Sequence, residues 1–255
     1  MAESFYFSTL GNVAVPGTGG TADDADVYQW TGVNFDRIVD ASVEGLARAA
    51  DFNGLSVLAD DHFFASFLDF TTVPGIGTVR DEDVVEFNAG TWTLFFDGSA
   101  QGLGGIVDLD AISVDGTTLY FSTLGNQTVP GIGGTADDAD VYSWNGTTFA
   151  REWDATAMGL PGAADVDGLS VVGPDHFFLS FNSSTTTVPV LGAVQDEDVV
   201  EYNAGTWSIF FDGTNNGLGG SGGLDLDAIS RAAMAPAVDA ALNESIDGPS
   251  TMATT

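Results

Sequence analysis

The sequence predicts an all-β fold assembled from four equivalent units, and three observations support this prediction. A motif of two polar, mostly acidic residues followed by a short apolar strand recurs four times, as at residues 108–114. The units that contain it repeat about every 57 residues, a period typical of propellers, solenoids and arrays. The composition, with 33 glycines and 18 phenylalanines, favours short strands and tight turns. We therefore predict a β-propeller of four four-stranded blades.

The four units form a single domain of residues 5–231. Aligned on the strand that follows each motif, they cover about residues 5–61, 62–118, 119–175 and 176–231. Units 1 and 3 share Thr-Ala-Asp-Asp-Ala-Asp-Val-Tyr, whereas units 2 and 4 share Asp-Glu-Asp-Val-Val-Glu. The order is therefore ABAB, which indicates that a 114-residue pair was duplicated once. Residues 232–255 lie outside the repeat, and we interpret them as a C-terminal tail or linker.

Unit 2 shows how each unit divides into strands. Aromatic and β-branched residues predict strands at residues 62–67, 84–87, 91–96 and 111–114. Asn88-Ala89-Gly90 and Asp115-Gly116 are turn signals between these strands. Residues 73–77, which contain Pro74 and two glycines, are predicted to lie in a long loop.

The phase of the repeat predicts how the ring closes. The strand after each motif is expected to be the innermost strand of the blade that follows it. Residues 225–230 then supply the innermost strand of the first blade and pair beside the N-terminal strand, residues 5–9. Such a closure hides the sheet edges. The alternative is a pair of β-sandwiches or a linear β array built from the same strands.

The charge is extreme, and it excludes several classes of partner. There are 37 acidic residues against 5 basic ones, all arginine, and the net charge is -32. Nucleic acid and anionic membrane surfaces both require a basic patch, so we expect neither as a partner. The absence of cysteine excludes disulfides and zinc-thiolate sites. No apolar run approaches the ~18 residues of a membrane span, so no membrane insertion is expected.

Acidic residues recur at three fixed places in each unit, and we predict ligands of a metal ion at all three. The first set precedes the second strand of each unit and comprises Asp24, Asp26, Asp81, Asp83, Asp138, Asp140, Asp196 and Asp198. The second set ends the third strand and comprises Asp40, Asp97, Asp154 and Asp212. The third set is the repeated motif itself, with Asp51, Asn53, Asp108, Asp110, Asp165, Asp167, Asp225 and Asp227.

Calcium is the cofactor that this pattern favours, at about one ion per repeat. Ca²⁺ takes 6–8 oxygen ligands from carboxylates, amides and backbone carbonyls, whereas Mg²⁺ keeps more of its waters. Two alternatives remain open. The aspartates can cap turns by accepting backbone N–H groups, or the charge can be a halophilic surface adaptation. A halophilic adaptation would scatter charge over the surface, so it explains poorly why the aspartates recur at the same places in each repeat.

Histidine and tryptophan are two further residue types that could have a functional role. His62 and His176 occupy equivalent positions, and we expect each to be a turn residue that pairs with a neighbour, although a catalytic base is the alternative. One tryptophan per unit is expected in the core between blades, with a sugar-stacking platform as the alternative. Every unit carries the paired carboxylates, whereas a catalytic site normally breaks repeat symmetry. We therefore predict no catalytic residues.

Three segments carry a resemblance to known repeats. Residues 81–87, 91–99 and 108–112 resemble an acidic β repeat of large bacterial surface and exported proteins, in which phrases such as DEDV and FDGS recur. The resemblance implies an exported, β-rich, ion-binding module. More loosely, the blades resemble those of NHL-type and lactonase-type propellers, which have six or more blades. A homo-oligomer in which two chains form one eight-bladed ring is therefore a further alternative.

These observations lead to one expected function and two alternatives. We expect a non-enzymatic, calcium-stabilised propeller in the extracellular space or on the cell surface, which acts in adhesion or binds a glycan or protein ligand. The N-terminal residues lack the features of a signal peptide, so the export signal is expected to lie outside this sequence. The first alternative is a metal-dependent hydrolase or lactonase with one ion in the central channel. The second is a structural unit of a surface layer or filament.

Overall fold

The computed structural model describes residues 4–105, 107–219 and 224–231, and it shows a four-bladed β-propeller. Blade 1 contains β1 (Phe5–Ser8), β2 (Val27–Trp30) and β3 (Phe35–Val39). Blade 2 contains β4 (Phe52–Ala59), β5 (His62–Phe67), β8 (Val84–Asn88) and β9 (Thr91–Phe96), with the hairpin β6 (Thr71–Val73) and β7 (Gly77–Val79) between its second and third strands. The predicted tail, residues 232–255, lies outside the described residues.

Blades 3 and 4 repeat this arrangement, and the last strand completes blade 1. Blade 3 contains β10 (Ala111–Asp115), β11 (Thr118–Ser122), β12 (Val141–Trp144) and β13 (Phe149–Trp153). Blade 4 contains β14 (Gly168–Gly173), β15 (His176–Ser180), β18 (Val199–Asn203) and β19 (Thr206–Phe211), with the hairpin β16 (Thr186–Val188) and β17 (Gly192–Val194). Finally, β20 (Ala228–Arg231) lies beside β1 in the order β20-β1-β2-β3.

The predicted ring closure is confirmed. Strand β20 pairs antiparallel with β1, so that Tyr6 is opposite Ser230 and Phe7 is opposite Ile229. The innermost strands β20, β4, β10 and β14 contact one another around a central axis. A ring of side-chain hydrogen bonds joins them, because the serine of each inner strand accepts a backbone N–H of the next blade. These bonds run from Val57 to Ser230, Val114 to Ser56, Val171 to Ser113 and Arg231 to Ser170, at 2.8 to 3.1 Å.

We name Ser56, Ser113, Ser170 and Ser230 the axial serines. All four are buried, and the residues Val57 and Val114, whose N–H groups bind two of them, are buried as well. An unpaired buried N–H group costs free energy comparable to a lost hydrogen bond. The serine in each copy of the motif therefore has a structural role in the ring.

The apolar core lies in four layers, each between two neighbouring blades. The layer between blades 1 and 2 contains Phe52, Phe63 and Trp92. The other three layers contain Phe121 (blades 2 and 3), Trp153 (blades 3 and 4) and Phe5 (blades 4 and 1) among their largest members. Of the four tryptophans that recur once per unit, Trp92 and Trp207 are buried, whereas Trp30 and Trp144 are partly buried and pack against the core layers. The expected core role therefore holds fully for two of them and in part for the other two.

One local expectation is wrong. The segment predicted to be a loop at residues 73–77 forms the tip of the β6–β7 hairpin, and Thr71 pairs with Val79. Gly75 and Gly77 have φ of 78° and 101°, a left-handed backbone that glycine adopts without strain. These glycines let a Pro-Gly turn reverse the chain between two threonine- and valine-rich segments.

Candidate cation-binding ring

The two polar residues of each motif lie where the chain enters an innermost strand, and we name them the entry pair. The pairs are Asp51 and Asn53, Asp108 and Asp110, Asp165 and Asp167, and Asp225 and Asp227. Since the four inner strands surround one axis, the four entry pairs surround one end of the central channel. They are largely buried there; Asn53, Asp110, Asp167 and Asp227 are each at most 3% exposed.

The entry pairs form a closed ring of side-chain contacts. The second residue of each pair contacts the first residue of the next pair. Asn53 Nδ2 donates to Asp108 Oδ1 at 2.9 Å. The other three contacts join two carboxyl groups, and they are Asp110 with Asp165, Asp167 with Asp225, and Asp227 with Asp51. The ring therefore contains seven carboxyl groups and one amide.

Burial makes ionisation of this ring unfavourable. Desolvation, followed by repulsion from neighbouring carboxylates, raises the pKa of Asp51 to about 7. Desolvation likewise raises the pKa of Asp108 and Asp225 to about 7 and that of Asp165 to about 6. For Asp110, desolvation and the nearby Asp165 charge raise the pKa well above its ordinary value. Such groups require either protons or a bound cation.

Several oxygens of the ring have no hydrogen-bond partner. Both carboxylate oxygens of Asp110 are buried without a donor, and Asp110 is only 2% exposed. One oxygen each is unpartnered on five more ring residues, namely Asp51, Asp165, Asp167, Asp225 and Asp227. A buried carboxylate without a donor is costly, whereas these oxygens are suitable ligands for a hard cation.

A further set of acidic residues lies beside the ring. We name Asp24, Asp81, Asp138 and Asp196 the loop aspartates, one from each blade. Each is close enough to the first residue of the following entry pair to raise its pKa by repulsion, as Asp24 does for Asp51. The backbone carbonyl of Asp81 accepts the N–H of Leu109 at 3.0 Å, which holds the loop against the next inner strand. One Oδ1 atom each of Asp24, Asp81 and Asp138 is buried without a partner.

Two glutamates that the predicted ligand set omits, Glu82 and Glu197, contact the loop aspartates Asp81 and Asp196. Glu82 is completely buried, both of its carboxylate oxygens are unpartnered, and burial together with the contact to Asp81 raises its pKa to about 7. In unit 4, Thr214 donates to Glu197 Oε1 at 2.6 Å. Units 1 and 3 have the buried alanines Ala25 and Ala139 at this position. Because the equivalent residue in these two units is a small apolar one, the sequence itself indicates that the glutamate side chain points inward.

The remaining predicted ligands have structural partners, and they form two sets. We name the first set the bracket aspartates, Asp26, Asp83, Asp140 and Asp198, each directly before the third strand of its blade, counted from the axis. Asp83 accepts the N–H groups of Gly98 and Arg80, both at 3.0 Å. The other three accept the equivalent N–H group after the outermost strand at 2.9 to 3.0 Å. These carboxylates therefore hold a loop and do not point into the ring.

The strand-end aspartates, Asp40, Asp97, Asp154 and Asp212, cap the loops that follow the outer strands. Asp97 Oδ1 accepts the N–H of Ala100 and the hydroxyl of Ser99, both at 2.9 Å. The equivalent bond from Ala157, with weaker contributions from Thr156 and Arg151, lowers the pKa of Asp154. These features are those of an ionised turn cap, which is the alternative that the sequence left open for them.

Blade 1 brings three carboxylates closest together. Asp23, Asp26 and Asp40 offer oxygens that all lie within 4.8 Å of one another, and within the described residues no other acidic triple is as tight. However, Arg37 pairs with Asp26 at 3.0 Å and with Asp40 at 3.1 Å, and Arg48 pairs with Asp23 at 2.8 Å. Two guanidinium groups thus already pair with all three carboxylates of this cluster, so the looser ring at the axis is the better candidate for a metal ion.

The two histidines form side-chain hydrogen bonds away from the ring. His62 Nε2 lies 2.8 Å from Glu86 Oε1, and His176 Nε2 lies 2.7 Å from Glu201 Oε1. Each histidine, which was expected in a turn, is therefore the first residue of a strand, and its partner is on the adjacent strand, β8 or β18. Across the part of the chain that the structure describes, no helix is long and apolar enough to cross a membrane.

Comparisons with known proteins show only distant similarity. No protein-family model and no curated protein matches the chain in sequence. Among solved structures, YCF48 bound to D1 peptide is 9% identical, with a TM-score of 0.34 over 78% of this chain and 50% of that one. The β-propeller domain of the Trilobed protease from Pyrococcus furiosus is 7% identical, with a TM-score of 0.31 over 84% and 51%.

A third similar structure, the Nidogen/Laminin complex, is 8% identical, with a TM-score of 0.39 over 89% of this chain and 97% of that one. The chain spans about half the length of the first two structures. Because these similarities are distant, the propeller architecture is established by the strand pairing of this chain itself.

Proposed function

We propose that this protein is a non-enzymatic, calcium-stabilised β-propeller that acts in adhesion or in binding a ligand such as a carbohydrate. The observation that supports the proposal most directly is Asp110, a nearly fully buried residue of the ring with two unpartnered carboxylate oxygens. Without a partner, a buried ionised carboxylate opposes folding. A cation at the ring converts this unfavourable charge into a ligand set that stabilises the folded state.

Calcium suits the donors that each quarter of the ring offers. In one quarter, Asp165 contacts Asp110 and also lies close enough to Asp138 for the two charges to repel each other. Backbone carbonyls and waters complete the 6–8 oxygen ligands that Ca²⁺ takes in flexible geometry. Because the quarters are equivalent, we assign about one ion to each repeat, with the quarter at Asn53 and Asp108 carrying one carboxylate less.

The near-equivalence of the four quarters also supports a binding role over catalysis. Catalytic groups need individually tuned pKa values, whereas the same acid arrangement recurs around this axis. The net charge of -32 disfavours nucleic acid as a partner. An extracellular or cell-surface location, where free calcium is plentiful, and a glycan, protein or second copy as partner complete the proposal.

Because the ring surrounds the axis, its position is also compatible with the first alternative function. A metal-dependent hydrolase or lactonase would hold one ion on the axis, with Asn53, Asp110, Asp167 and Asp227 facing it. Elemental analysis of the purified protein distinguishes the two functions. About four calcium ions per chain support repeat-wise stabilising sites, whereas a single ion per chain supports an axial catalytic centre. A structural unit of a surface layer predicts instead concentration-dependent assembly.

Thermal unfolding in the presence and absence of calcium tests the proposal. We expect the melting temperature to rise when Ca²⁺ replaces EDTA at low salt, by the equivalent of ~3 kcal/mol at a calcium concentration a hundredfold above the dissociation constant. The triple variant Asp110→Asn, Asp167→Asn, Asp227→Asn should lose most of this increase. The exposed Asp36→Asn variant is the control for a change of charge alone. An unchanged melting temperature in wild-type protein would contradict the calcium proposal.

A further inference from the structure

At the end of the channel opposite the entry pairs, the propeller contains a cavity of about 870 Å³. Its lining includes the axial serines together with Tyr120, Phe210 and Arg231. The volume falls within the roughly 300–1,000 Å³ of typical small-molecule sites. Since the entry pairs lie at the start of the inner strands and these residues lie towards their ends, the cavity is separate from the cation-binding ring.

Arg231 breaks the fourfold symmetry of this cavity. The residue that follows each axial serine is Val57, Val114, Val171 or Arg231. Val114 belongs to the same apolar cluster as Phe64 and Phe95 of the preceding blade. At the equivalent place, the Arg231 guanidinium carbon lies 4.5 Å from the ring centre of Phe178 and 4.6 Å from that of Phe210. An arginine thus replaces the valine that suffices for packing in three of the four units.

The charge of Arg231 is not used in an ion pair within residues 4–105, 107–219 and 224–231. The other four arginines, Arg37, Arg48, Arg80 and Arg151, each lie within 4.0 Å of a carboxylate. Two phenyl rings orient the Arg231 guanidinium, whose planar set of N–H donors matches a carboxylate in bidentate geometry. In a chain with 37 acidic residues, an arginine held in this way is a candidate ligand group.

The axial serines add hydrogen-bond donors to the same cavity. Each Oγ accepts one backbone N–H, and a hydroxyl also carries one hydrogen to donate. Among the hydrogen bonds of the described residues, none has an axial serine as donor. The cavity lining also contains the carboxylates of Asp115, Glu152, Asp175 and Glu201. These groups accept hydrogen bonds from hydroxyls and repel ligands with several negative charges.

We propose that this cavity binds an acidic saccharide, a sugar whose single carboxylate lies against Arg231. Its hydroxyl groups then bind the axial serines and the carboxylates of the lining. A polyanion is disfavoured by the acidic lining, and a neutral sugar leaves the guanidinium without a partner. The proposal names the ligand of the binding module proposed above and in that sense rests on it, but it uses a different site.

Titration of the full chain with D-glucuronate tests the proposal, by calorimetry or ligand-observed NMR in calcium buffer. We expect a dissociation constant of ~1 mM or lower for this minimal probe. D-glucose and acetate, which each lack one half of the recognised chemistry, should bind at least about tenfold more weakly. The variant Arg231→Val, which restores the residue of the other units, should weaken glucuronate binding by about tenfold or more. Arg48→Val is the control for the same change at another arginine.

Three results would overturn the proposal: no glucuronate binding at ~20 mM, well above the expected dissociation constant; equal binding by acetate; or equal binding by Arg231→Val. Arg231→Lys provides a second test should Arg231→Val fold poorly, because it keeps the charge and the aliphatic stem but loses the bidentate geometry. It should bind glucuronate measurably more weakly than the wild type. If calcium leaves the melting temperature unchanged while Arg231-dependent binding persists, the cation proposal fails and the saccharide proposal stands.

Discussion

Asn53 shows that an amide can replace a carboxylate in the ring of entry pairs. It occupies the position of Asp110, Asp167 and Asp227, and its amide donates to Asp108 at 2.9 Å. The other three contacts place two carboxyl groups against each other, so each requires a shared proton or a cation. One of the four contacts is therefore satisfied without a shared proton or a cation, and the other three are not.

Asp110→Asn should therefore stabilise the protein when no calcium is bound. The new amide can donate to Asp165 as Asn53 does to Asp108, and unlike the Asp110 carboxyl group it needs no bound proton to do so. We expect a gain of ~1–3 kcal/mol in the free energy of unfolding in EDTA, measured by chemical denaturation. In saturating calcium the advantage should shrink or reverse, because a ligand is lost.

The exposed Asp36→Asn variant should change stability by less than ~0.5 kcal/mol under both conditions. Asp110 is not a cation ligand if Asp110→Asn is destabilising in EDTA and keeps the full stabilisation by calcium.

The aspartates also show the limit of what the sequence can predict about the site. All twenty predicted ligands recur at fixed places in the repeat, and the sequence-based prediction assigns them all the same role. The structure separates the axial groups from Asp83 and Asp97, whose oxygens accept backbone N–H groups. Only the position of those N–H groups in space distinguishes the two roles. For the strand-end set there was a local signal, since each aspartate is followed two residues later by Ser42, Ser99, Thr156 or Thr214.

At the scale of elements, the strands were well predicted and the small hairpins were not. The predicted strands 62–67 and 91–96 agree with β5 and β9, because aromatic residues and the Asn88-Ala89-Gly90 turn delimit them. In this turn Ala89 and Gly90 have φ of 46° and 82°, as a tight hairpin requires. The β6–β7 hairpin was missed because two strands of three residues are too short for an alternating pattern.

The axial serines give a prediction for the inner strands. Ser113→Ala removes the acceptor of the Val171 N–H, a partly buried bond of 3.1 Å that links blades 3 and 4. We expect a loss of ~1–2 kcal/mol in the free energy of unfolding, with or without calcium. The exposed Ser183→Ala is the matched control. A loss of less than ~0.5 kcal/mol for Ser113→Ala, similar to a neutral surface substitution, would show that this ring of bonds does not stabilise the propeller.

At the scale of the whole molecule, ring closure and the cation-binding ring depend on each other. Asp227 contacts Asp51 only because β20 completes blade 1 from the far end of the chain. The phase of the repeat predicted this closure, since the first unit lacks an inner strand and the last motif supplies one. The contact partners within the ring were not predictable, because they depend on how far each inner strand lies from the axis.

The raised pKa values predict how stability varies with pH when no cation is bound. Burial raises the pKa of Asp51, Asp108 and Asp225 to about 7, above the value of about 4 for an unfolded chain. Between these values the folded protein binds more protons than the unfolded one, so its stability falls as the pH rises. In EDTA, the melting temperature should therefore decrease from pH 5 to pH 8.

Repulsion among the other carboxylates acts in the same direction, so the matched comparison is the triple Asn variant, Asp110→Asn, Asp167→Asn, Asp227→Asn. It keeps the surface charge but removes three of the buried carboxyl groups, and its melting temperature should vary less with pH. Calcium should also flatten the wild-type profile, because the ion competes with protons for the same oxygens. A wild-type melting temperature that rises with pH in EDTA would mean that the ring is ionised and stabilised by partners within the protein.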